Sequence, residues 1–386
     1  MDKKEAITLL KDILKIDSTN GNEKAVADYL TTTLDRYGIA SEQVEYAKGR
    51  NQLIASLKGK QQQNSKKLGF TGHMDVVPVG EIPWKYPPFS ATEEDGKIYA
   101  RGSSDMKAGL AAQVVAMIEL KEQGLPFAGE IQLLATVGEE TSAIGASQLV
   151  ELGYGSDLDA LVIGEPTNNL IVIAHKGALW LRITTLGKTA HGSMPSEGIN
   201  AVEHMLKLLT RFQEKFDFSL EVDELVGAST SSIDVIHGGN GTNVIPDSCT
   251  VEIDIRTIAK QDHQLILKDV QTMITELQET IPNLNATIEV INDLESVRTE
   301  KDDAFVELVY STVESVTGNQ IKPFGGPGYT DGSQFTKAKK KYPIVILGPG
   351  VGEMAHQPNE YVEIDAYLQS IEIYKKLALS YLTEIN

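Results

Sequence analysis

Short apolar runs alternate with longer helix-like segments through the first half of the chain. The run 160–163 has the length of a buried strand, whereas 106–123 has the length and composition of a helix that Gly124 and Pro126 end. This alternation predicts an α/β fold with a largely parallel sheet, whose ligand site lies beyond the carboxyl ends of the strands. The predicted elements are strands at 51–57, 68–71, 131–137, 160–163 and 344–347, and helices at 4–16, 22–37, 106–123, 143–152, 302–316 and 364–382.

The order of the predicted elements changes near residue 178. From there to residue 292 the pattern runs strand, helix, strand, strand, helix, strand, which is the order of a ferredoxin-like α+β sandwich. We interpret this stretch as a domain inserted into the α/β domain, with hinges near 176–177 and 293. The predicted domains are therefore 1–177 and 293–386, which together form the α/β domain, and 178–292, which forms the insert. The elements of the insert are strands at 179–186, 231–236, 250–256 and 286–292 and helices at 199–216 and 261–279.

The composition excludes several classes of partner. The 386 residues carry a formal net charge of −19, which argues against nucleic acid or an anionic membrane as a general partner. Residues 1–5 lack the apolar core of a signal peptide, and no segment approaches the ~20 apolar residues of a membrane span. We therefore expect a cytoplasmic protein. The one cysteine, Cys249, allows no intrachain disulfide, and the polar run 61–65 predicts a hairpin tip.

Histidines and carboxylates follow the predicted strands. Because the carboxyl ends of parallel strands meet at one edge of a sheet, we expect these side chains to converge. Two histidines with several carboxylates are typical ligands of zinc or a similar divalent ion. The residues in question are His73 and Asp75 after the strand at 68–71, Asp105 before the helix at 106–123, Glu139 and Glu140 after the strand at 131–137, Glu165 after 160–163, and His356 after 344–347.

A count of these ligands suits two metal ions. One histidine and one terminal carboxylate for each ion, with one carboxylate shared, gives two open sites about 3.5 Å apart. In the Glu139–Glu140 pair, one carboxylate can bind metal while the other takes a proton from water as the general base. Each residue also has a simpler explanation: Asp105 as a helix N-cap, the glutamates as loop or turn residues, and His356 as a surface histidine. Their common position at strand ends favours the metal site.

Four sequence blocks resemble the signatures of the dinuclear zinc amidohydrolases, a family of deacetylases, desuccinylases, aminoacylases and carboxypeptidases. The resemblance implies two Zn²⁺ ions per subunit, with Co²⁺ or Mn²⁺ as alternatives. It implies that His73, Asp105 and Glu165 hold one ion and that Asp105, Glu140 and His356 hold the other. It also implies that Asp75 orients His73, that Glu139 is the base and that the bond between residues 105 and 106 is cis. The blocks are 72–78, 102–109, 138–140 and 164–167.

The insert resembles the lid and dimerisation domain of the same family, so we expect a homodimer formed through 178–292. The block 189–193 implies that His191 reaches the partner subunit's active site and stabilises an oxyanion. Asn243 and Arg256 match positions that hold substrate, and Arg256 can bind a substrate carboxylate with two hydrogen bonds. The simpler alternatives are a polar hairpin residue for His191 and a strand-edge salt bridge for Arg256. Thr330 lies in a loop that resembles the one binding the far end of the substrate, although the usual Gly-Gly-Thr run is absent.

The resemblance implies metal-assisted hydrolysis of the amide bond of an N-acylated amino acid. The blocks 174–177, 348–350 and 354–361 resemble the Gram-positive branch that acts on N-succinyl-LL-2,6-diaminopimelate in lysine biosynthesis. N-acetylornithine is the second expected substrate, and a peptide, for a metallo-dipeptidase or carboxypeptidase, is the third. A zinc-binding protein without turnover is the non-enzymatic alternative. A serine hydrolase or a nucleotide-binding dehydrogenase is disfavoured because neither Gly-x-Ser-x-Gly nor Gly-x-Gly-x-x-Gly occurs.

Overall fold

A computed structural model describes residues 1–19, 21–60 and 65–383. The chain divides into two compact units. Unit 1 comprises 1–174, 297–325 and 330–386, and unit 2 comprises 175–296 and 326–329. Residues 326–329 belong to unit 2, whereas the predicted insert ended at residue 292. The roles predicted for the two domains stay predictions. The predicted hairpin tip at 61–65 lies outside the described residues except for Ser65.

Unit 1 is built around a sheet that has nine strands within the described residues. Its order is β1-β2-β6-β3-β7-β17-β8-β15, and β16 pairs with β8. The strands of this unit are β1 (Ala40–Ala47), β2 (Arg50–Lys58), β3 (Lys67–His73), β4 (Thr92–Glu94), β5 (Lys97–Tyr99), β6 (Glu130–Thr136), β7 (Ala160–Ile163), β8 (Val172–His175), β15 (Val297–Arg298), β16 (Phe324–Gly326), β17 (Ile344–Ile346) and β18 (Tyr361–Glu363).

The centre of this sheet is parallel, whereas some of its outer strands pair antiparallel. Strands β6, β3, β7 and β17 run parallel to one another, and β1, β2 and β8 join by antiparallel pairing. The predicted α/β class with a mostly parallel central sheet is confirmed. The antiparallel strands β1 and β8 were not predicted: β1 is mostly polar, whereas β8 is as short and as buried as β7 and was overlooked.

Helices cover the sheet of unit 1. Among them α3 is buried along nearly its whole length, since its Ala-rich and Val-rich sequence is apolar on every face. It packs against α9 and β3, and its first turn lies next to the loops that carry the candidate ligands. The helices of this unit are α1 (Lys3–Leu14), α2 (Glu23–Arg36), α3 (Lys107–Glu122), α4 (Ile144–Glu151), α7 (Ala304–Thr317), α8 (Gly332–Phe335) and α9 (Ile364–Thr383).

Unit 2 follows the predicted strand and helix order, with two additional two-residue strands between its first helix and its second long strand. Within the fully described stretch 175–296, four strands form an antiparallel sheet in the order β12-β13-β9-β14, with the helices α5 and α6 packed on it. The alternating apolar side chains of β9 and β13 form its core with Met205, Leu208 and Val270. The elements are β9 (Gly177–Leu186), α5 (Ala201–Lys215), β10 (Val222–Asp223), β11 (Gly227–Ala228), β12 (Thr230–Gly238), β13 (Ser248–Thr257), α6 (His263–Thr280) and β14 (Asn285–Leu294).

None of the helices within the described ranges has both the length and the apolar character that crossing a membrane requires.

His175, the last residue of β8, makes the stability of the fold depend on pH. Its ring is buried, and burial lowers its pKa from 6.5 to about 4. The folded protein therefore holds a neutral imidazole that the unfolded chain protonates below pH 6.5. We predict that the free energy of unfolding falls by up to ~3 kcal/mol from this residue alone as the pH drops from 6.5 to 4.

The variant His175→Gln tests this dependence. Its unfolding free energy, measured by denaturant titration between pH 7 and 4, is expected to fall less steeply than that of the wild type. His237→Gln replaces an exposed histidine and serves as the control. An equal pH slope in the wild type and His175→Gln would contradict the prediction.

Candidate active site

The predicted ligands lie at the carboxyl ends of the parallel strands or in loops beside them. His73 is the last residue of β3, and Glu165 follows β7 by two residues. Glu139 and Glu140 form a 3₁₀ turn after β6. Parallel register places His73 beside Thr136, the last residue of β6, so these loops leave the sheet at the same edge.

Two glycines allow these loops to approach one another. Gly138 has a φ of 66°, a left-handed conformation that turns the chain from β6 into the turn that carries Glu139. A Cβ atom at Gly109 in α3 would lie 1.8 Å from the carbonyl oxygen of Gly164, next to Glu165. The first turn of α3 therefore packs against this loop only because residue 109 has no side chain.

Asp105 lies between the two predicted histidine ligands. Its Oδ1 is 3.1 Å from Nε2 of His73, and its Oδ2 is 3.3 Å from Nε2 of His356. Glu165 Oε1 lies 3.7 Å from His73 Nε2, and Glu140 Oε2 lies 3.0 Å from His356 Nε2. Each oxygen of Asp105 thus belongs to a different group of donors, which is the arrangement expected of a bridging carboxylate.

These separations fit metal ligands. Atoms held about 2.0–2.2 Å from a tetrahedral zinc ion lie about 3.3–3.6 Å from one another, and the observed separations run from 3.0 to 3.7 Å. His73, Asp105 and Glu140 have donor atoms within 4.8 Å of one another, and so do His73, Glu139 and Glu165. The donor set of imidazoles and carboxylates suits zinc, cobalt or manganese.

The site concentrates negative charge away from solvent. Within the described residues it includes six carboxylates, and protonated histidines can balance only two of them. Burial opposes ionisation of Asp105, but the hydrogen bonds from His356 and His73 outweigh it and hold the pKa of Asp105 well below its usual range. Hydrogen bonds to Asp105 and Glu140 raise the pKa of His356 to about 10. A site that stabilises positive charge so strongly is suited to cations. The carboxylates belong to Asp75, Asp105, Glu139, Glu140, Glu165 and Asp331.

Asp75 contacts His73 through its main chain rather than through its carboxylate. Its carboxylate Oδ1 lies 3.6 Å from Nδ1 of His73, beyond hydrogen-bond distance, and the backbone carbonyl of Asp75 contacts that nitrogen at 2.9 Å. The carboxylate instead accepts hydrogen bonds from the backbone N–H groups of Glu139 and Glu140, each at 3.2 Å. Asp75 therefore contacts His73 through its main chain and the Glu139–Glu140 turn through its side chain.

Glu139 is the buried member of the glutamate pair. It is 6% exposed, and burial, reinforced by Glu165, Glu140 and Asp331, raises its pKa well above the usual range. A carboxylate of raised pKa is suited to accept a proton and return it.

The peptide bond between Asp105 and Met106 is cis, as predicted.

Unit 2 contains the predicted residues His191, Asn243 and Arg256. The first two come together: His191 forms a β-bridge with Val244, and the N–H of Gly192 donates to the carbonyl of Asn243 at 2.7 Å. Arg256 lies on an inner strand and pairs with Asp254 on the same strand at 2.9 Å. The predicted alternative of a salt bridge is thus present, although not at a sheet edge.

The loop 330–332 contributes two residues to unit 1. Thr330 is nearly buried, and its hydroxyl oxygen accepts a hydrogen bond from the N–H of Gly332 at 3.1 Å. Asp331, which the sequence analysis did not select, is buried, and its Oδ2 accepts from the hydroxyl of Thr136 at 2.5 Å. Burial raises the pKa of Asp331 to about 7. Its Oδ1 has no hydrogen-bond partner among the described residues.

Two further charged residues behind Asp105 were not predicted. Glu360 and Arg101 are both buried and form an ion pair at 2.7 Å. Glu360 lies in the block 354–361 and Arg101 directly precedes the block 102–109, but neither has a local pattern that marks it as functional. Their contacts, described below, are with backbone groups far away in the sequence.

The second unit contains one more cluster of acids around a histidine, formed by His263, Asp293 and Glu295. Both ring nitrogens of His263 already have hydrogen-bond partners, with Thr257 at 2.7 Å and Asp293 at 2.6 Å. We therefore assign no metal to this cluster.

Comparison with known proteins agrees with this geometry. Residues 69–380 match the sequence profile of Peptidase family M20/M25/M40. A probable succinyl-diaminopimelate desuccinylase of Staphylococcus aureus is 35% identical over an alignment that covers 99% of this chain and 98% of the relative. A protein of the same description from Staphylococcus epidermidis is 32% identical, with 99% of each chain covered.

Two solved structures share the fold over nearly the whole chain. A tripeptidase from Staphylococcus aureus is 28% identical and has a TM-score of 0.76, covering 98% of this chain and 99% of its own. A Bacillus subtilis protein described as a dinuclear metal-binding peptidase of the M20 family has a TM-score of 0.75 at 18% identity, covering 98% of each chain.

The position of Asp105 between two histidines predicts unequal effects of ligand substitutions. Asp105→Asn is expected to weaken both metal sites, so that the purified chain retains fewer than one ion instead of about two. His356→Gln is expected to retain about one, because the donors around His73 remain.

Metal content after dialysis, measured by plasma mass spectrometry, tests this expectation. Asp95→Asn makes the same change at an exposed position and is expected to retain the wild-type content. Asp105→Asn protein that keeps both ions would show that Asp105 does not bridge them.

Proposed function

The chain belongs to Peptidase family M20/M25/M40 and is a hydrolase, and we propose that it cleaves the amide bond of N-succinyl-LL-2,6-diaminopimelate with the help of two divalent ions. The products are succinate and LL-2,6-diaminopimelate, and the reaction belongs to lysine biosynthesis in the cytoplasm. The observation that carries the metal chemistry is the position of Asp105, with one oxygen facing His73 and the other facing His356. The substrate rests on the two staphylococcal relatives described as probable desuccinylases.

The proposed ligands form two sets around Asp105. His73 and Glu165 would hold one ion with it, and His356 and Glu140 would hold the other; zinc is the proposed metal, with cobalt or manganese as alternatives. When bound, the ions polarise the scissile carbonyl and lower the pKa of the attacking water. The dinuclear description of the Bacillus subtilis structure supports a pair of ions.

Glu139 is proposed as the group that moves the proton. It would take a proton from the attacking water and give it to the leaving amine, which departs as the amide C–N bond breaks. Its burial and raised pKa support this assignment. Asp75 would hold the base in place, since its carboxylate accepts a hydrogen bond from the backbone N–H of Glu139.

His191 is proposed to donate a hydrogen bond to the oxyanion formed at the carbonyl carbon, in the active site of the partner subunit. The backbone N–H of Ser193 donates to Nδ1 of His191 at 3.2 Å, so Nδ1 is an acceptor and the proton lies on Nε2. In this tautomer the Nε2–H group of the exposed imidazole can donate a hydrogen bond. The proposed homodimer forms through 178–292, and β12, an exposed edge strand, supports such pairing.

Asn243, Arg256 and Thr330 are proposed to bind the substrate. Arg256 is half-buried, and its guanidinium, which pairs with Asp254 at 2.9 Å, lies 5.8 Å from the centre of the Tyr329 ring, so a substrate carboxylate would share this guanidinium with Asp254. N-succinyl-diaminopimelate carries three carboxylates, which a guanidinium suits. Asn243 would donate through its amide and Thr330 through its hydroxyl.

Hydrolysis of short peptides is a second candidate function. The tripeptidase from Staphylococcus aureus, at 28% identity and nearly full coverage, favours it. The same ligands and the same base would serve, because a peptide bond is also an amide.

A comparison of substrates separates these candidates. We predict that kcat/KM of the zinc-loaded enzyme for N-succinyl-LL-2,6-diaminopimelate exceeds that for N-acetylornithine and for a tripeptide by a factor of about 100, or ~2.7 kcal/mol of transition-state discrimination. A higher kcat/KM for the tripeptide would replace the desuccinylase assignment with peptide hydrolysis.

If Glu139 is the base, its substitution is expected to lower turnover without changing metal binding. Glu139→Gln is expected to lower kcat by about 10²–10⁴-fold, because the amide cannot accept the proton, while the metal content stays that of the wild type. Glu151→Gln, at an exposed position, is the matched control. A Glu139→Gln enzyme with wild-type kcat would remove Glu139 from this role, and one that has lost its metal would make Glu139 a ligand.

A further inference from the structure

Glu360 is a fully buried carboxylate directly behind the backbone of Asp105. Its Oε1 accepts hydrogen bonds from the N–H groups of Ser104 at 2.7 Å and Asp105 at 2.9 Å. Its Oε2 accepts from the N–H of Gly102 at 3.0 Å and from the guanidinium of Arg101 at 2.7 Å. A carboxylate has about four acceptor positions, so this one is used completely.

Arg101 extends the network from the Asp105 loop to the other ligands. The guanidinium donates to the carbonyl oxygens of His356 at 3.3 Å and of Gln357 at 3.2 Å. It also donates to the carbonyl of Pro78, in the block that contains His73, at 3.3 Å. It lies 5.0 Å from the centre of the Trp84 ring, and only 2% of the residue is exposed. One side chain therefore contacts three segments of the site.

The position of Glu360 is set by contacts that do not involve the proposed ligands. The following residues form β18, in which Tyr361 pairs with Tyr99 of β5. The carbonyl of Glu360 accepts the N–H of Ala100 at 3.1 Å, and the hydroxyl of Ser104 donates to the carbonyl of Tyr361 at 2.6 Å. The backbone of Glu360 is thus held by contacts other than the N–H groups that its carboxylate accepts.

We propose that Glu360 and Arg101 are positioning residues that hold Asp105 and His356 in the geometry in which two metal ions can bind together. The proposal rests on the ligand assignment made above for Asp105 and His356. Three backbone N–H groups that converge on one anion define the conformation of the loop, and Asp105 is the last of the three. Arg101 also donates to the carbonyl of His356. One ion pair therefore positions both Asp105 and His356, which are proposed to bind the same ion.

The variant Glu360→Gln tests this role. The amide nitrogen that replaces one oxygen cannot accept from these N–H groups, so at least two of the four hydrogen bonds that Glu360 accepts are lost while the side-chain volume is kept. We expect the affinity of the metal-free full-length chain for Co²⁺ to fall by about 10–100-fold, as for other groups that orient metal ligands. The visible absorption of the Co²⁺-loaded chain is expected to change, since it reports ligand geometry.

Glu363→Gln is the matched control. Glu363 lies three residues further on, in the same strand β18, and is exposed. The control is expected to bind two Co²⁺ ions per chain with the affinity and spectrum of the wild type. Both variants are compared with wild-type protein in the same titration, and the melting temperature of each metal-free chain is recorded separately.

The outcomes are distinct. A Glu360→Gln chain with lower melting temperature but unchanged Co²⁺ affinity and spectrum would overturn the proposal, because Glu360 would then serve the fold alone. A wild-type chain that binds no Co²⁺ would instead overturn the ligand assignment. If Glu360→Gln does not fold, Arg101→Lys decides: lysine keeps the charge but cannot reach Glu360 and all three carbonyls together. A loss of tenfold or more in Co²⁺ affinity supports the proposal, and unchanged affinity overturns it.

Discussion

The contact on which the site depends is that of the Asp105 carboxylate with two imidazoles, one on each of its oxygens. A buried carboxylate is stable only when its charge is compensated. Here the compensation comes from two segments that are far apart in the sequence, the end of β3 and the loop that follows β17. The same carboxylate therefore joins two groups of ligands into one centre, and two divalent ions, with their histidine ligands neutral, would compensate four of the six carboxylate charges.

Many buried contacts around the site are made to backbone groups rather than to side chains. Asp75 accepts the N–H groups of Glu139 and Glu140, and Glu360 accepts three N–H groups of the loop before Asp105. Gly109 allows α3 to approach the loop of Glu165. In the first two cases a buried carboxylate has backbone partners, and these hydrogen bonds also fix the backbone of a proposed ligand or base.

The parts of this structure that the sequence predicts are those with a local pattern. The apolar runs predict β3, β6, β7 and β17, and the position of His73 and Glu165 after two of them follows from the chain order. Strand β1 was missed because its sequence is mostly polar, whereas β8 was overlooked although it is as long as β7. The contacts of Asp75 and Asp331 could not be predicted, since a buried carboxylate that meets distant backbone or hydroxyl groups leaves no periodic signal. The same holds for Glu360, whose partners lie over 250 positions away.

Anomalous X-ray diffraction from crystals of the zinc-loaded enzyme, recorded at the zinc edge, tests the central claim most directly. The account predicts two peaks in unit 1, about 3.5 Å apart, on either side of the Asp105 carboxylate. One peak is expected beside His73 and Glu165 and the other beside His356 and Glu140. A single peak, or a pair that leaves Asp105 outside the ligand sphere of either ion, would contradict the bridging role.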